Sequence, residues 1–461
     1  MLIQGGTLVL EDGVRQGDIR LEGERIVQVG GSISPLPGED VEDARGCWVV
    51  PGGVDAHTHF DMPAGAFHTA DDFDTGTRAA LLGGTTTVAD FAECEGDAPL
   101  ETGFSRWREK ADGKTWCDYA LHMTVSHWEE NMAEQMADMA ARGVSAFKVY
   151  TAYQDDIGVD DRALYQIFRA AAALGAVVCV HCENGPVLEL LQGELDPQEM
   201  ASHAASRPNL VEAEAAAKVL CFAALTGARA YIVHLSTAQG LAAVKAARAE
   251  GVRVTAETCP QYLLLDGARY GGEAAEAAKY ILSPPLRSGD DLRALWDGLL
   301  GGDIQTVATD HCAFTLAQKR VHLEDYRRIP NGIPGVEHRM GLLYTCGRQR
   351  GLELPGIAAL TATNPARALG LYPRKGCLRV GSDGDIAVLE PGAARTITAA
   401  GQAQAVDYTP YEGMRTEVSI RSVYLRGKRL VRDGRLAAER PGGRFLNCEI
   451  NKEGELPWER S

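Results

Sequence analysis

The sequence predicts an α/β protein: a (β/α)8 TIM barrel joined to a smaller β-sandwich domain built from both chain ends. Three observations carry this. Short apolar runs alternate with amphipathic stretches through the middle of the chain. Eight such runs are present, the number a closed barrel needs. Both ends instead carry short strands separated by turns.

Taken in order, residues 1–50 read as strands Thr7–Leu10, Asp18–Leu21, Arg25–Val29 and Cys47–Val50, parted by Gly-rich turns. The barrel strands follow as Gly53–His57, Thr85–Phe91, Tyr119–Val125, Ala146–Tyr150, Val177–His181, Tyr231–Leu235, Val252–Glu257 and Gln305–Asp310. Between them, Glu129–Arg142, Asp161–Leu174, Leu210–Thr226, Ala238–Glu250 and Asp290–Leu300 combine helix-forming residues with apolar positions three and four apart. Strands return at Asp385–Leu389, Val418–Leu425 and Lys428–Val431, with Asp433–Gly434 as a turn. The expected division is residues 1–50 plus 376–461 as the β-domain and 51–375 as the barrel. A doubly wound open sheet is the alternative. It is weakened because no Gly-x-Gly-x-x-Gly turn follows the first barrel strand.

Bulk composition narrows the function. The 461 residues carry 46 basic and 63 acidic side chains, a net charge of -17. Nucleic acid is therefore not expected as a partner, because phosphate binding needs a basic face. No apolar stretch approaches the ~20 residues of a membrane span, and the N-terminus lacks a cleavable-signal pattern. Eleven scattered cysteines fit free thiols in a reducing cytoplasm, so a cytoplasmic location is expected.

Six residues carry the chemistry. His57 and His59 leave the first barrel strand, Lys148 lies at the end of the fourth, and His181, His234 and Asp310 end the fifth, sixth and eighth. A barrel gathers strand ends at one face, where active sites sit. In extended chain, residues i and i+2 point the same way, so His57 and His59 can grip one ion together. Imidazole and carboxylate are the usual zinc ligands. A lone His in an apolar strand is ordinarily a core residue; four His and one Asp at one face are not explained that way. Lys148 does not fit as a cation, because an ammonium beside two divalent ions is strongly repelled. Carbamylation by CO₂ would make it an anion with two oxygens able to bridge two ions.

Here the chain resembles a known family. Pro51-Gly-Gly-Val-Asp-Ala-His-Thr-His59, Gly83-Gly-Thr-Thr-Thr87, Phe147-Lys-Val-Tyr150, Tyr231-Ile-Val-His-Leu-Ser236 and Glu257-Thr-Cys-Pro-Gln-Tyr-Leu263 match it in order. Leu282-Ser-Pro-Pro-Leu-Arg287, Ala308-Thr-Asp-His-Cys312 and Asn331-Gly-Ile-Pro-Gly335 complete the set. Together they resemble the cyclic amidohydrolases of the hydantoinase/dihydropyrimidinase group, D-phenylhydantoinase-type enzymes above all. The resemblance implies two divalent ions, taken as zinc. His57, His59 and Asp310 would hold one and His181 and His234 the other, with N6-carboxylysine at position 148 and a hydroxide as bridges. It implies that Asp310 moves protons and that Tyr153 bonds the substrate oxygen. Backbone groups of Ser283 and Asn331 would hold the ring. The implied reaction opens a hydantoin or dihydropyrimidine ring, aryl-substituted or not, to an N-carbamoyl amino acid. The implied assembly is a homotetramer.

Rival readings remain. Dihydroorotase-like relatives place an Arg two residues after the second His; Asp61 stands there and would repel a carboxylated ring. Phe67, Phe91 and Tyr153 are expected to wall a pocket for an aryl group, shaped by loops 62–72, 92–97 and 151–159. An allantoinase-like ureide hydrolase, a mononuclear deaminase and a non-catalytic assembly protein are the alternatives.

Overall fold

A computed structural model of the chain describes residues 1–154, 156–450 and 456–459. Eight parallel strands form one sheet in sequence order. They are Gly53–Thr58, Thr85–Ala92, Asp118–Thr124, Ala146–Tyr150, Val177–His181, Arg229–Ile232, Val254–Thr258 and Thr306–Val307. Every residue of Thr85–Ala92 and Ala146–Tyr150 is buried. Burial on both faces is the pattern of a parallel sheet covered by helices, and it takes in Asp90 and Lys148 as well as the apolar residues.

The ring closes between its first and last strands. Asp310 N donates to His57 O at 3.0 Å, and His59 N donates to His311 O at 2.9 Å. Deeper down, the fully buried Arg339 spans the seam, its Nη1 donating to Val54 O and Val307 O, each at 2.9 Å. Closure thus sets Asp310 beside His57 and His59.

Two strands stop well before their expected C-terminal ends. The sixth stops at Ile232 and the eighth at Val307, so His234 and Asp310 lie past the strand ends. Both have positive φ, 39° and 53°. That conformation cannot continue a ladder, and it re-aims each side chain. The helix expected from Glu129 begins at Met132, while Asp161–Leu174 is as expected, capped by Asp160 and closed by Gly175 at φ 76°. Helices Phe73–Leu82, Leu100–Ala111 and Arg339–Gln349 add to those expected. In the first, Asp72 and Thr75 form a capping box without the usual Glu or Gln.

The chain ends share a second, nine-stranded sheet. Trp48–Pro51 lies between Leu2–Leu10 and Ile386–Thr396, pairing Val50 with Ala387. One face encloses Ile3, Leu8, Ile19, Val388 and Tyr424, while Val50, Leu389 and Val423 join the main core with the barrel. Lys375, fully buried, ties sheet to barrel, its Nζ 2.6 Å from Asp118 and 2.7 Å from Asp385. Asp433 and Gly434, at φ 50° and 69°, make the expected tight turn. Past that sheet the chain returns to the barrel, where Leu446 N donates to Tyr119 O at 2.7 Å. Among the described residues, no helix is long and apolar enough to cross a membrane.

Candidate active site

The strand ends converge on a cavity of about 790 Å³. All six candidate ligands line it, and so do Tyr153, Ser283 and Asn331. A volume of this size suits a small organic molecule.

His57, His59 and Asp310 form the tighter half. Ligand atoms of the three lie within 4.8 Å of one another, a group able to hold a metal ion. His57 Nε2 is 3.2 Å from His59 Nε2 and 3.1 Å from Asp310 Oδ1, and His59 Nε2 is 3.3 Å from the same oxygen. In the other half, His181 Nδ1 lies 3.0 Å from His234 Nε2. The halves adjoin, with the rings of His57 and His234 at 5.4 Å.

Burial favours the neutral imidazole at three of the four histidines. Burial drives His57 and His234 well below the ordinary histidine range. Burial also lowers His181, against the opposing pull of Glu183. Burial alone would raise Asp310, but His57 and His59 outweigh it and hold the carboxyl below its usual value. Burial lowers the Lys148 amine, which sits 4.8 Å from the ring centres of both Phe91 and Tyr150. Among the described residues Lys148 has no ion-pair partner. Asp310 and Glu257 pull the other way without overcoming its burial.

Behind these residues stands a layer that sequence reasoning missed. Glu257 Oε1 is 2.8 Å from His57 Nδ1, and Glu183 Oε2 is 2.8 Å from His181 Nε2. Each carboxylate holds one ring nitrogen and turns the other toward the cavity. Burial lifts Glu257 to about 7, whereas Glu183 is drawn to about 2 because Arg207 and His181 outweigh its burial. Arg207 donates to Glu183 and lies 5.9 Å over the Tyr153 ring. Glu183 follows His181 by two residues in extended chain, a spacing that signals this role. Cys179 and Cys182, in a Cys-x-x-Cys spacing across the same strand end, are free and buried.

Tyr153 reaches the cavity from a backbone at φ 62°. Burial raises its hydroxyl above the usual tyrosine value, so it remains a proton donor. Ser283 and Asn331 face each other, Ser283 Oγ to Asn331 Oδ1 being 3.1 Å. Among the described residues, the Ser283 N–H and C=O and the Asn331 N–H make no hydrogen bond. Gly332 permits this approach: a Cβ there would meet Cys312 O at 2.3 Å.

Two expectations change. Phe91 is 1% exposed and packs against His57, His59 and His122, behind the ligands and not on the cavity wall. Phe67 and Tyr153 do line the cavity. Asp61 lies 3.7 Å from Lys110, outside the cavity lining. Its charge is offset, so it does not by itself repel a carboxylated ring.

The pattern of the amidohydrolase family matches residues 48–430. The chain is 38% identical to a D-hydantoinase of Geobacillus stearothermophilus, with 96% of each chain covered. It is 40% identical to a D-phenylhydantoinase of Escherichia coli, covering 97% of both. Among solved structures, a dihydropyrimidinase from Brevibacillus agri superposes with a TM-score of 0.95 at 37% identity, over 97% of this chain and 98% of that one.

Proposed function

The chain belongs to the amidohydrolase family, in its hydantoinase and dihydropyrimidinase group, and from that premise we propose that it opens cyclic amides by metal-dependent hydrolysis. The observation that carries the proposal is the convergence of four histidines, Lys148 and Asp310 in one cavity beside unpaired backbone groups of Ser283 and Asn331. The substrate is a hydantoin or dihydropyrimidine ring, and the product an N-carbamoyl amino acid.

The donors fit two divalent ions. Buried imidazoles stand in two pairs with nitrogens 3.0–3.2 Å apart, a donor type suited to such ions. His57, His59 and Asp310 would hold one ion, taken as zinc, and His181 and His234 the other. Carboxylated Lys148 would hold both and would add a second negative charge to that of Asp310. When bound, such a pair supplies a water acidic enough to attack an amide near neutral pH.

The chain's own groups do the rest. Backbone N–H and C=O at Ser283 and N–H at Asn331 bind the ring's amide edge. The Tyr153 hydroxyl donates to the carbonyl oxygen as negative charge builds there. Asp310 accepts the proton of the attacking water and returns it to the leaving nitrogen. Phe67 and Tyr153 support an aryl substituent, without Phe91. Eleven free cysteines support a reducing cytoplasmic setting. The homotetramer rests on the resemblance, and exposed Leu210 and Leu225 on helix Asn209–Thr226 offer apolar surface for it.

The test is a turnover panel of dihydrouracil, hydantoin, phenylhydantoin, allantoin and dihydroorotate with added zinc or manganese. Hydantoin or dihydrouracil opening should dominate. Dominant dihydroorotate turnover, or none with full metal content, refutes the reading.

A further inference from the structure

The groups that would hold the ring come from two separate loops, and something must fix their spacing. Lys319 ends the short helix Leu316–Lys319 and is 0% exposed. Its Nζ donates to Ile281 O and to Pro330 O, both at 2.7 Å. Ile281 lies two residues before Ser283, and Pro330 one before Asn331. Gly332 N also donates to Ile281 O, at 3.0 Å. The next carbonyl, Leu282 O, accepts from His203 Nε2 at 2.7 Å. A carbonyl can only accept, so this nitrogen carries the hydrogen. Burial keeps the ring neutral, pushing His203 down to about 3.

The pattern is selective. The carbonyls of Ile281, Leu282 and Pro330 are taken by buried donors, while the Ser283 N–H and C=O and the Asn331 N–H are left open. Burying a lysine without an acid is unfavourable, and among the described residues Lys319 has no carboxylate partner. Burial accordingly lowers its amine to about 7. A methionine would fill the same space but would leave Pro330 O without a donor, so what the lysine adds is a tie between the two loops.

We propose that Lys319 and His203 are positioning residues that hold the Ser283 and Asn331 loops at the separation a cyclic amide requires. This rests on the reading that those backbone groups bind the ring. Such groups hold substrate and transition state alike, so loosening them raises KM and leaves kcat nearly unchanged.

The experiment uses metal-loaded full-length protein and hydantoin as substrate. Lys319→Met should raise KM roughly tenfold, the value of about one lost hydrogen bond, with metal content intact and kcat within about threefold. His203→Leu should act alike. His203→Gln, which restores a donor near the Nε2 position, should recover most of the KM. If Lys319→Met does not fold, the His203 pair decides alone. Unchanged KM in folded variants, or a lower melting point and lower active fraction without a KM change, would overturn the proposal while leaving the cyclic amide reading intact. Wild-type protein that opens no cyclic amide would remove both.

Discussion

Glu257 Oε1 lies 2.8 Å from His57 Nδ1 and also accepts from His234 N at 3.2 Å. One buried carboxylate thus orients a ligand from each half of the candidate metal centre. It fixes the His57 tautomer, leaving Nε2 to face His59 and Asp310. Glu257→Gln should weaken metal affinity by roughly 10–100-fold. Activity titrated against zinc should shift to higher metal and recover at saturation. An unchanged titration would deny Glu257 this role.

Asp310→Asn should lower turnover by roughly 10²–10⁴-fold, the usual worth of a positioned proton carrier. The melting curve should stay cooperative. Near wild-type turnover with full metal content would remove Asp310 from the proton path.

Lys148→Ala should lose most activity and bind fewer than two ions per chain, measured by elemental analysis. Metal-free wild-type protein refilled in CO₂-free buffer should regain activity slowly, and bicarbonate should speed it. A variant that keeps its activity would instead fit a mononuclear deaminase.

Glu337 gives a pH test remote from the catalytic groups. Burial raises its carboxyl from 4.5 to about 7, while Ala403 N, donating at 2.6 Å, opposes the rise. The folded state therefore holds this proton more tightly than the unfolded chain. The group's contribution is fully present below pH 4.5 and is lost as pH rises through about 7. Glu337→Gln stays neutral throughout. It should lose less stability than wild type between pH 5 and pH 8, a difference on the order of 3 kcal/mol at most. Parallel melting-temperature losses for the two proteins would contradict this.

The gathering of the six candidate residues in one cavity was legible because they lie at or just past the ends of barrel strands, which a barrel collects at one face. The inner layer was not. Glu257 partners a residue 200 positions away, and in sequence it reads as one more strand residue. Lys319 lies in Gln318-Lys319-Arg320, which looks like solvated charge until its burial is known. The positive φ of His234 and Asp310 was equally hidden, since nothing local marks it. Phe91 misled because an aromatic at a strand end can face the cavity or the layer behind the ligands, and only packing decides.

The pairing of Val50 with Ala387 has a consequence for synthesis. Strand Trp48–Pro51 leaves the ribosome early, and its partner Ile386–Thr396 emerges only after the whole barrel has been made. Until then the nascent protein carries an unpaired strand edge, the kind of surface that invites aggregation. Slow translation or truncation before residue 386 should therefore yield insoluble chains even when every catalytic group is present.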